Sequence, residues 1–319
     1  MAFYAPKCMY TVETKKIDNK PYFYAVRRIR VGNKYKKISV YIGKTVPKTK
    51  SQEKQILHAL QEKELQLVPE VVQHMALPDT HITRAEYNKL EEARVTHKYA
   101  YEALSEAKKT QWWRQFAIRF TFESNAIEGS RLSEQEVTAI IRGRTLKKAT
   151  TATEVQEVEN TIEVMEWLRD GSFTLNERTV LRLHALVTKN LDITQGFKKR
   201  SVVVNNKPTT APGQVRTELA QLIKWWKAEK SVAPFFKAMI FHQRFEAIHP
   251  FEDGNGRTGR LLLLWMLSQA GYDVILFKNA NRQSYFSALS KADAGQVRTW
   301  LRHTMCVYRS TVAELHAIE

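Results

Sequence analysis

The chain has 319 residues, of which 43% are hydrophobic, and a formal net charge of +17. That length suffices for one large domain or two to three smaller ones with a sizeable core, and the hydrophobic content excludes a disordered chain. No apolar run approaches the roughly eighteen residues of a membrane-spanning helix, so no membrane contact is expected.

The charge is uneven. Residues 1–50 carry +11 of it, which marks a basic appendage. The opening MAFYAPKCMYTVETKK lacks the apolar core of a secretory leader, and Cys8 and Cys306 are the only cysteines. Both features point to a reducing, cytoplasmic setting. His303 and Cys306 have no second ligand pair nearby, so no zinc site is expected. Tyr10–Lys16, Pro21–Val31 and Lys34–Ile42 read as strands, separated by turn residues at 17–20 and by Gly32-Asn33. Residues 10–43 should therefore form a three-stranded antiparallel sheet. Arg27, Arg28, Arg30, Lys34, Lys36 and Lys37 interleave there with Tyr22, Tyr24, Tyr35 and Tyr41. Two readings stay open: a nucleic-acid surface, or a solvated face that keeps an edge strand from aggregating.

Ser51–Val68 reads as a helix with an apolar stripe, and Pro69 and Pro78 should interrupt the chain beyond it. A charged amphipathic helix is expected over 84–107, so that 49–107 connects a small β-rich module (1–48) to a larger helical region (108–319). Lys109–Glu128 is the next helix, with Trp112, Trp113, Phe116, Ile118 and Phe120 on its buried faces. Ser124 and Glu128 are four apart on one face, and Gly129 suits the position that ends the helix. A carboxylate at a helix C-terminus calls for a partner cation, and Arg260 is a candidate.

Capping pairs open three further helices: Ser133 with Glu136, Thr153 with Gln156, and Thr174 with Glu177. His184 reads as structural. Residues 196–212 break the helical pattern, with strand character from Ser201 to Val204 and a turn at Asn205-Asn206. Helices come next over 215–228, where Trp225-Trp226 reads as core, and over 234–248. Val274–Phe277 should be extended, and residues 281–290 and 296–315 should form closing helices.

The densest chemistry is HPFEDGNGRTGR, His249 to Arg260, succeeded at once by the apolar run Leu261–Leu267. A loop entering a buried helix exposes unpaired N–H groups to an anion. Gly254 and Gly256 let the backbone approach a ligand. Arg257 and Arg260, three apart, can clamp a polyphosphate. Asp253 is a hard oxygen ligand suited to Mg²⁺, and His249 suits a general base near neutral pH. Taken singly, each feature has an ordinary explanation as a helix end, a turn or a solvated charge; their fixed spacing is what points to a site.

This stretch resembles the signature of the Fic (filamentation induced by cAMP) family: His-Pro-Phe, a free position, Asp or Glu, Gly-Asn-Gly-Arg, two free positions, Arg. Every fixed position is met. The resemblance implies a mainly α fold with a short β-hairpin flap, here joined to a basic antiparallel β module. It implies protein adenylylation: AMP passes from ATP, with Mg²⁺, to a Ser, Thr or Tyr hydroxyl of a target protein. His249 would be the base and Asp253 the metal ligand. Gly254, Asn255 and Gly256 would cradle the phosphates, Asn255 also through its side chain, with Arg257 and Arg260 on the β- and γ-phosphates. Val202, Val203 and Val204 would dock the target backbone by strand addition, and Tyr285, in an Arg-x-x-Tyr pattern, would lie near the nucleotide. Ser124-Asn125-Ala126-Ile127-Glu128-Gly129 resembles the family's inhibitory motif, in the subclass that carries it N-terminal to the core. That implies Glu128 withholds Arg260 from the γ-phosphate. The alternatives are AMP removal with Glu128 positioning water, transfer of another nucleotide or a bare phosphate, and a DNA-binding regulator on a vestigial core. A homodimer is left open.

Overall fold

The structure, a computed structural model, describes residues 10–77, 82–144, 151–204 and 207–316. Cys8, Pro78 and the Asn205-Asn206 turn lie outside the described residues. Two compact units separate among the described residues, one built on residues 111–311 and the other on residues 10–110 and 312–316.

In the second unit, β1 (Thr11–Ile17), β2 (Lys20–Val31) and β3 (Lys34–Gly43) form an antiparallel sheet in that order. Asp18 and Asn19 take positive φ in the first turn, as their short polar side chains allow. Helix α1 (Lys50–Gln73) starts at a capping box between Thr49 and Gln52 and runs straight through Pro69. The expected interruption fails because Val68 and Val72, on either side, are buried, and that packing outweighs one missing hydrogen bond. Helix α2 (Arg84–Glu102) ends short of 107, since the Ser105 carbonyl already accepts the Lys109 N–H of the following helix. Buried Glu64 of α1 accepts from Lys98 at 3.0 Å and from the Tyr99 hydroxyl at 2.9 Å, pinning α1 to α2. Arg27 of β2 holds Glu102 through two bonds of 3.0 and 2.6 Å.

Helices α3 (Glu106–Ile127), α4 (Glu134–Ile141), α5 (Ala152–Arg169) and α6 (Glu177–Val187) come next. The α5 cap is Thr151 with Glu154, and the α6 cap is Asn176 with Thr179, each near but not at the expected pair. Glu154 also accepts the Arg131 N–H, and the Asn176 amide is held by Thr174, so second partners select these positions. A two-stranded hairpin, β4 (Val203–Val204) with β5 (Lys207–Pro208), precedes α7 (Pro212–Ala228) and α8 (Pro234–Ile248). Then come α9 (Asn255–Gln269), α10 (Arg282–Asp293) and α11 (Val297–His316).

Helix α9 is the axis of the 111–311 unit. Leu261 to Leu267 are all buried, so it is apolar all round, as a helix enclosed by neighbours must be. It packs on α8 and touches α5 and α6. Phe235, Tyr272 and Tyr308 meet with ring centroids 5.2–5.7 Å apart. Trp225 and Trp226, expected in the core, are only half-buried. Each instead lies under a cation, Arg244 at 4.6 Å and Lys237 at 4.2 Å. Val274–Phe277, expected to be extended, is buried and belongs to no sheet among the described residues; the Leu276 N–H goes to Thr311.

Candidate active site

The loop between α8 and α9 carries the motif. Its first residue, His249, is the C-cap of α8 in the left-handed conformation (φ 50°, ψ 66°), with its N–H on the Phe245 carbonyl. A non-glycine residue there is costly and persists only where its surroundings enforce it. The surroundings are visible. Asn255 accepts the Phe251 N–H and donates to the Phe251 carbonyl, both at 2.9 Å. Both ends of the amide, expected to reach phosphate, here clamp the loop. Phe251 is fully buried and stacks on His184 at 3.7 Å. His184 Nε2 lies 3.0 Å from the Asp253 carbonyl. Burial holds His184 at about 4, so the ring is neutral and Nε2 carries the donated proton. Gly254 caps α9 with φ 77°, and a Cβ there would stand 2.8 Å from the Thr188 methyl.

His249 is itself depressed to about 4, first by burial and then by the charge of Lys198. At neutral pH its imidazole is free to take a proton. Lys198, which the sequence did not single out, is buried and bonds Thr209 at 2.6 Å and the Ile248 carbonyl at 3.1 Å. It joins the base of the hairpin to the residue before His249, and burial lowers it to about 8.

The two arginines diverge. Arg260, 2% exposed, donates through Nε to Ser124 Oγ at 3.0 Å and through Nη2 to the Ser124 carbonyl and to Glu128 Oε1, both at 2.8 Å. Its Nη1 is buried with no hydrogen-bond partner among the described residues. Glu128 succeeds the last residue of α3, and Gly129 with φ 108° turns the chain away. Gly256 makes the approach possible, since a Cβ there would lie 2.2 Å from Glu128 Oε1. Arg257 does not join Arg260 on a shared open clamp. It pairs with Glu157 of α5 at 2.6 Å, with Asp253 3.8 Å away. Burial pushes the Glu157 carboxyl up while Arg257 opposes that shift. Asp253 is 66% exposed at the loop tip. Among the described residues no cluster of three or more ligating side chains occurs. A lone exposed carboxylate suits an ion such as Mg²⁺, which completes its shell with phosphate and water.

In the hairpin, Val203 is 61% exposed. The Val202 carbonyl accepts both the N–H and the hydroxyl of Thr209, so Val202 anchors the hairpin, and Val203 and Val204 form its strand. A cavity of about 170 Å³ lies beside it, lined by Val204, Lys207, Thr209, Glu246, Phe286 and Leu289. Burial pushes the Glu246 carboxyl up to about 8. Tyr285, expected near a nucleotide, is buried, with its hydroxyl 2.8 Å from His242 and its ring against Phe277 and Trp300. It supports α8 from within the core. Glu252 pairs with Arg200 at 2.9 Å.

Glu157, Lys198 and His184 are the residues that sequence reasoning missed or took as scaffold. They stand 100, 51 and 65 positions from Arg257, His249 and His249 respectively, and no local pattern marks such partners.

Residues 174–267 match the Fic/DOC family. The chain is 27% identical over 193 residues to "Protein adenylyltransferase Fic" of Culex quinquefasciatus, covering 58% of this chain and 39% of that protein. It is 28% identical over 199 residues to "Protein adenylyltransferase fic-1" of Caenorhabditis briggsae, covering 60% and 39%. The chain thus spans about two-fifths of the length of these relatives. Among solved structures, a Fic family protein from Desulfovibrio desulfuricans G20 superposes with a TM-score of 0.63 at 25% identity, covering 76% of this chain and 77% of that one.

Proposed function

We propose, for a chain that belongs to the Fic/DOC family, that it transfers AMP from ATP to a hydroxyl of a target protein and that Glu128 restrains this transfer. The observation that carries the reading is Arg260, buried and held by Glu128 at 2.8 Å, in the helix that continues from the loop of a neutral His249. The reaction region is assigned to residues 108–319, in a reducing, cytoplasmic setting.

His249 takes the proton of the target hydroxyl. The oxygen bonds to the α-phosphorus, the bond from that phosphorus to the bridging oxygen breaks, and pyrophosphate leaves. Asp253 would hold Mg²⁺, which supplies charge neutralisation on the phosphates when bound. The N–H groups at the start of α9 face the same anion, and Gly254 and Gly256 keep the approach clear. Arg257 and Arg260 serve the terminal phosphates once each leaves its carboxylate. A guanidinium bonded to a carboxylate is not available to a phosphate with the same N–H groups, so the Glu128 contact is itself the restraint. Val203 and Val204 offer backbone groups to an extended target segment, which fixes the hydroxyl near His249 without reading its sequence.

The test is transfer of label from α-labelled ATP with Mg²⁺. Weak self-labelling is expected from the unaltered chain, a rise from Glu128→Gly, and none when His249→Ala is added. Equal labelling with and without Glu128→Gly would refute the restraint. Loss of AMP from a modified target, dependent on Glu128, would show the reverse reaction instead.

A further inference from the structure

The exposed face of the N-terminal sheet has a composition that the transfer reaction does not use. Strand register places Glu13 and Lys15 of β1, Tyr22, Tyr24, Arg28 and Arg30 of β2, and Tyr35, Lys37 and Tyr41 of β3 on one side. The opposite side turns Arg27 to Glu102 and Lys36 to Glu70, toward α2 and α1. On the first side Arg28, Arg30, Tyr35, Lys37 and Tyr41 are exposed, Tyr35 at 68%. Glu13, bonded to Lys37, is its one acidic side chain among the described residues of the strands.

We propose that this face binds duplex DNA. Five cations, Lys15, Lys20, Arg28, Arg30 and Lys37, against one carboxylate match a polyphosphate. Tyrosine hydroxyls and arginine forks are both phosphate donors. The rings argue against a single strand: Tyr41 already lies 6.0 Å from Tyr22 and 5.4 Å from Tyr24, and Lys15 sits over Tyr24. Those aromatic faces are engaged with one another, which leaves Tyr35 alone as a stacking platform. The geometry suits a groove. β2 and β3 form a ribbon of 12 and 10 residues, about one turn of duplex in length at ~3.3 Å per residue, and the DNA major groove admits such a ribbon. The deep, narrow groove of duplex RNA does not.

The experiment is fluorescence anisotropy of the full chain with a labelled 20-base-pair DNA across a salt series. Arg28→Ala/Arg30→Ala/Lys37→Ala should weaken binding at least tenfold and lower the salt slope by roughly 2–3. Lys224→Ala/Lys227→Ala/Lys230→Ala, with equal charge loss on exposed positions of α7 and beyond, should change it less than twofold. Lys15→Glu, an exposed change in β1, supplies a second variant, and circular dichroism checks that each stays folded. Equal loss from both triples, tighter binding to oligo-dT or RNA duplex than to DNA duplex, or no duplex binding by the unaltered chain would overturn the proposal.

Discussion

Gly256→Ala should destabilise the protein when Glu128 is present and stabilise it when Glu128 is absent. Gly256 lies in the first turn of α9 and does not have positive φ, so alanine is compatible with its backbone. The added methyl would stand 2.2 Å from Glu128 Oε1 and 2.9 Å from Arg260 Nη1. Glu128 must then release Arg260, losing a charge-assisted hydrogen bond worth about 1.5–3 kcal/mol. The helix gains up to ~1 kcal/mol from replacing glycine. The net is a loss of about 1 kcal/mol. With Glu128→Ala in place the bond is already gone, Arg260 Nη1 can yield, and the helix gain of up to ~1 kcal/mol remains. Urea unfolding tracked by tryptophan fluorescence reads the relevant unit, because all seven tryptophans fall within residues 111–311. The same sign of effect in both backgrounds would show that Gly256 does not admit Glu128 to Arg260, and the close-approach argument would be wrong.

Asn255→Ala removes both clamps on Phe251 and should cost about 2 kcal/mol, with transfer falling further than stability because His249 loses its enforced conformation; unfolding and label transfer measured together separate the two. Lys198→Met keeps the volume but removes the cation beside His249, so the acid limb of the kcat/KM profile, measured in a Glu128→Gly chain, should move up from about 4 toward 6.5, and an unmoved limb would exclude Lys198 as a cause. Glu157→Ala removes the nearer carboxylate of buried Arg257 and should cost about 3 kcal/mol, while Glu157→Gln, which still accepts a bond, should cost clearly less in the same unfolding assay. His184 and His242 are held near 4 and 3 in the folded chain, below the unfolded value of 6.5, so the unfolded chain binds protons first as pH falls. Their neutral state favours folding above about pH 6.5 and is lost as pH drops, by about 3 kcal/mol for His184 toward pH 4 and about 5 kcal/mol for His242 toward pH 3; a urea midpoint flat over pH 6.5–4 would contradict this.

The motif was legible because its chemistry is local. A base, a metal ligand, two glycines and two arginines must stand at fixed steps around one helix start, and those steps are visible in the sequence. The sheet was legible for a similar reason, since β2 and β3 are joined by a two-residue turn. What each arginine touches was not equally legible. Glu128 was found because a carboxylate at a helix end needs a cation. Glu157 lies inside α5, where the sequence shows one more acidic residue among many, and only packing of α5 on α9 brings it to Arg257. The Asn255 clamp was not legible because an amide in an anion-binding loop suits phosphate and loop backbone equally well. The loop chose the backbone, since His249 at φ 50° needs the restraint. Pro69 shows the same limit, in that a local rule for breaking helices gave way to burial on both sides.

Taken together, these contacts change what the arginine pair means. Glu128 and Glu157 reach the motif from two different helices, and each holds one of the two guanidinium groups expected to meet phosphate. The two pairs are not equivalent. Glu128 is 35% exposed just past the end of α3, so solvent can reach it, and a segment bound there could draw it away. Glu157 is 19% exposed in the body of α5, and Arg257 beside it is 5% exposed. Releasing Arg260 therefore requires moving a helix end, whereas releasing Arg257 requires disturbing a core contact. On this physical ground Glu128 is the more readily displaced of the two carboxylates, and Glu157 holds its arginine the more firmly.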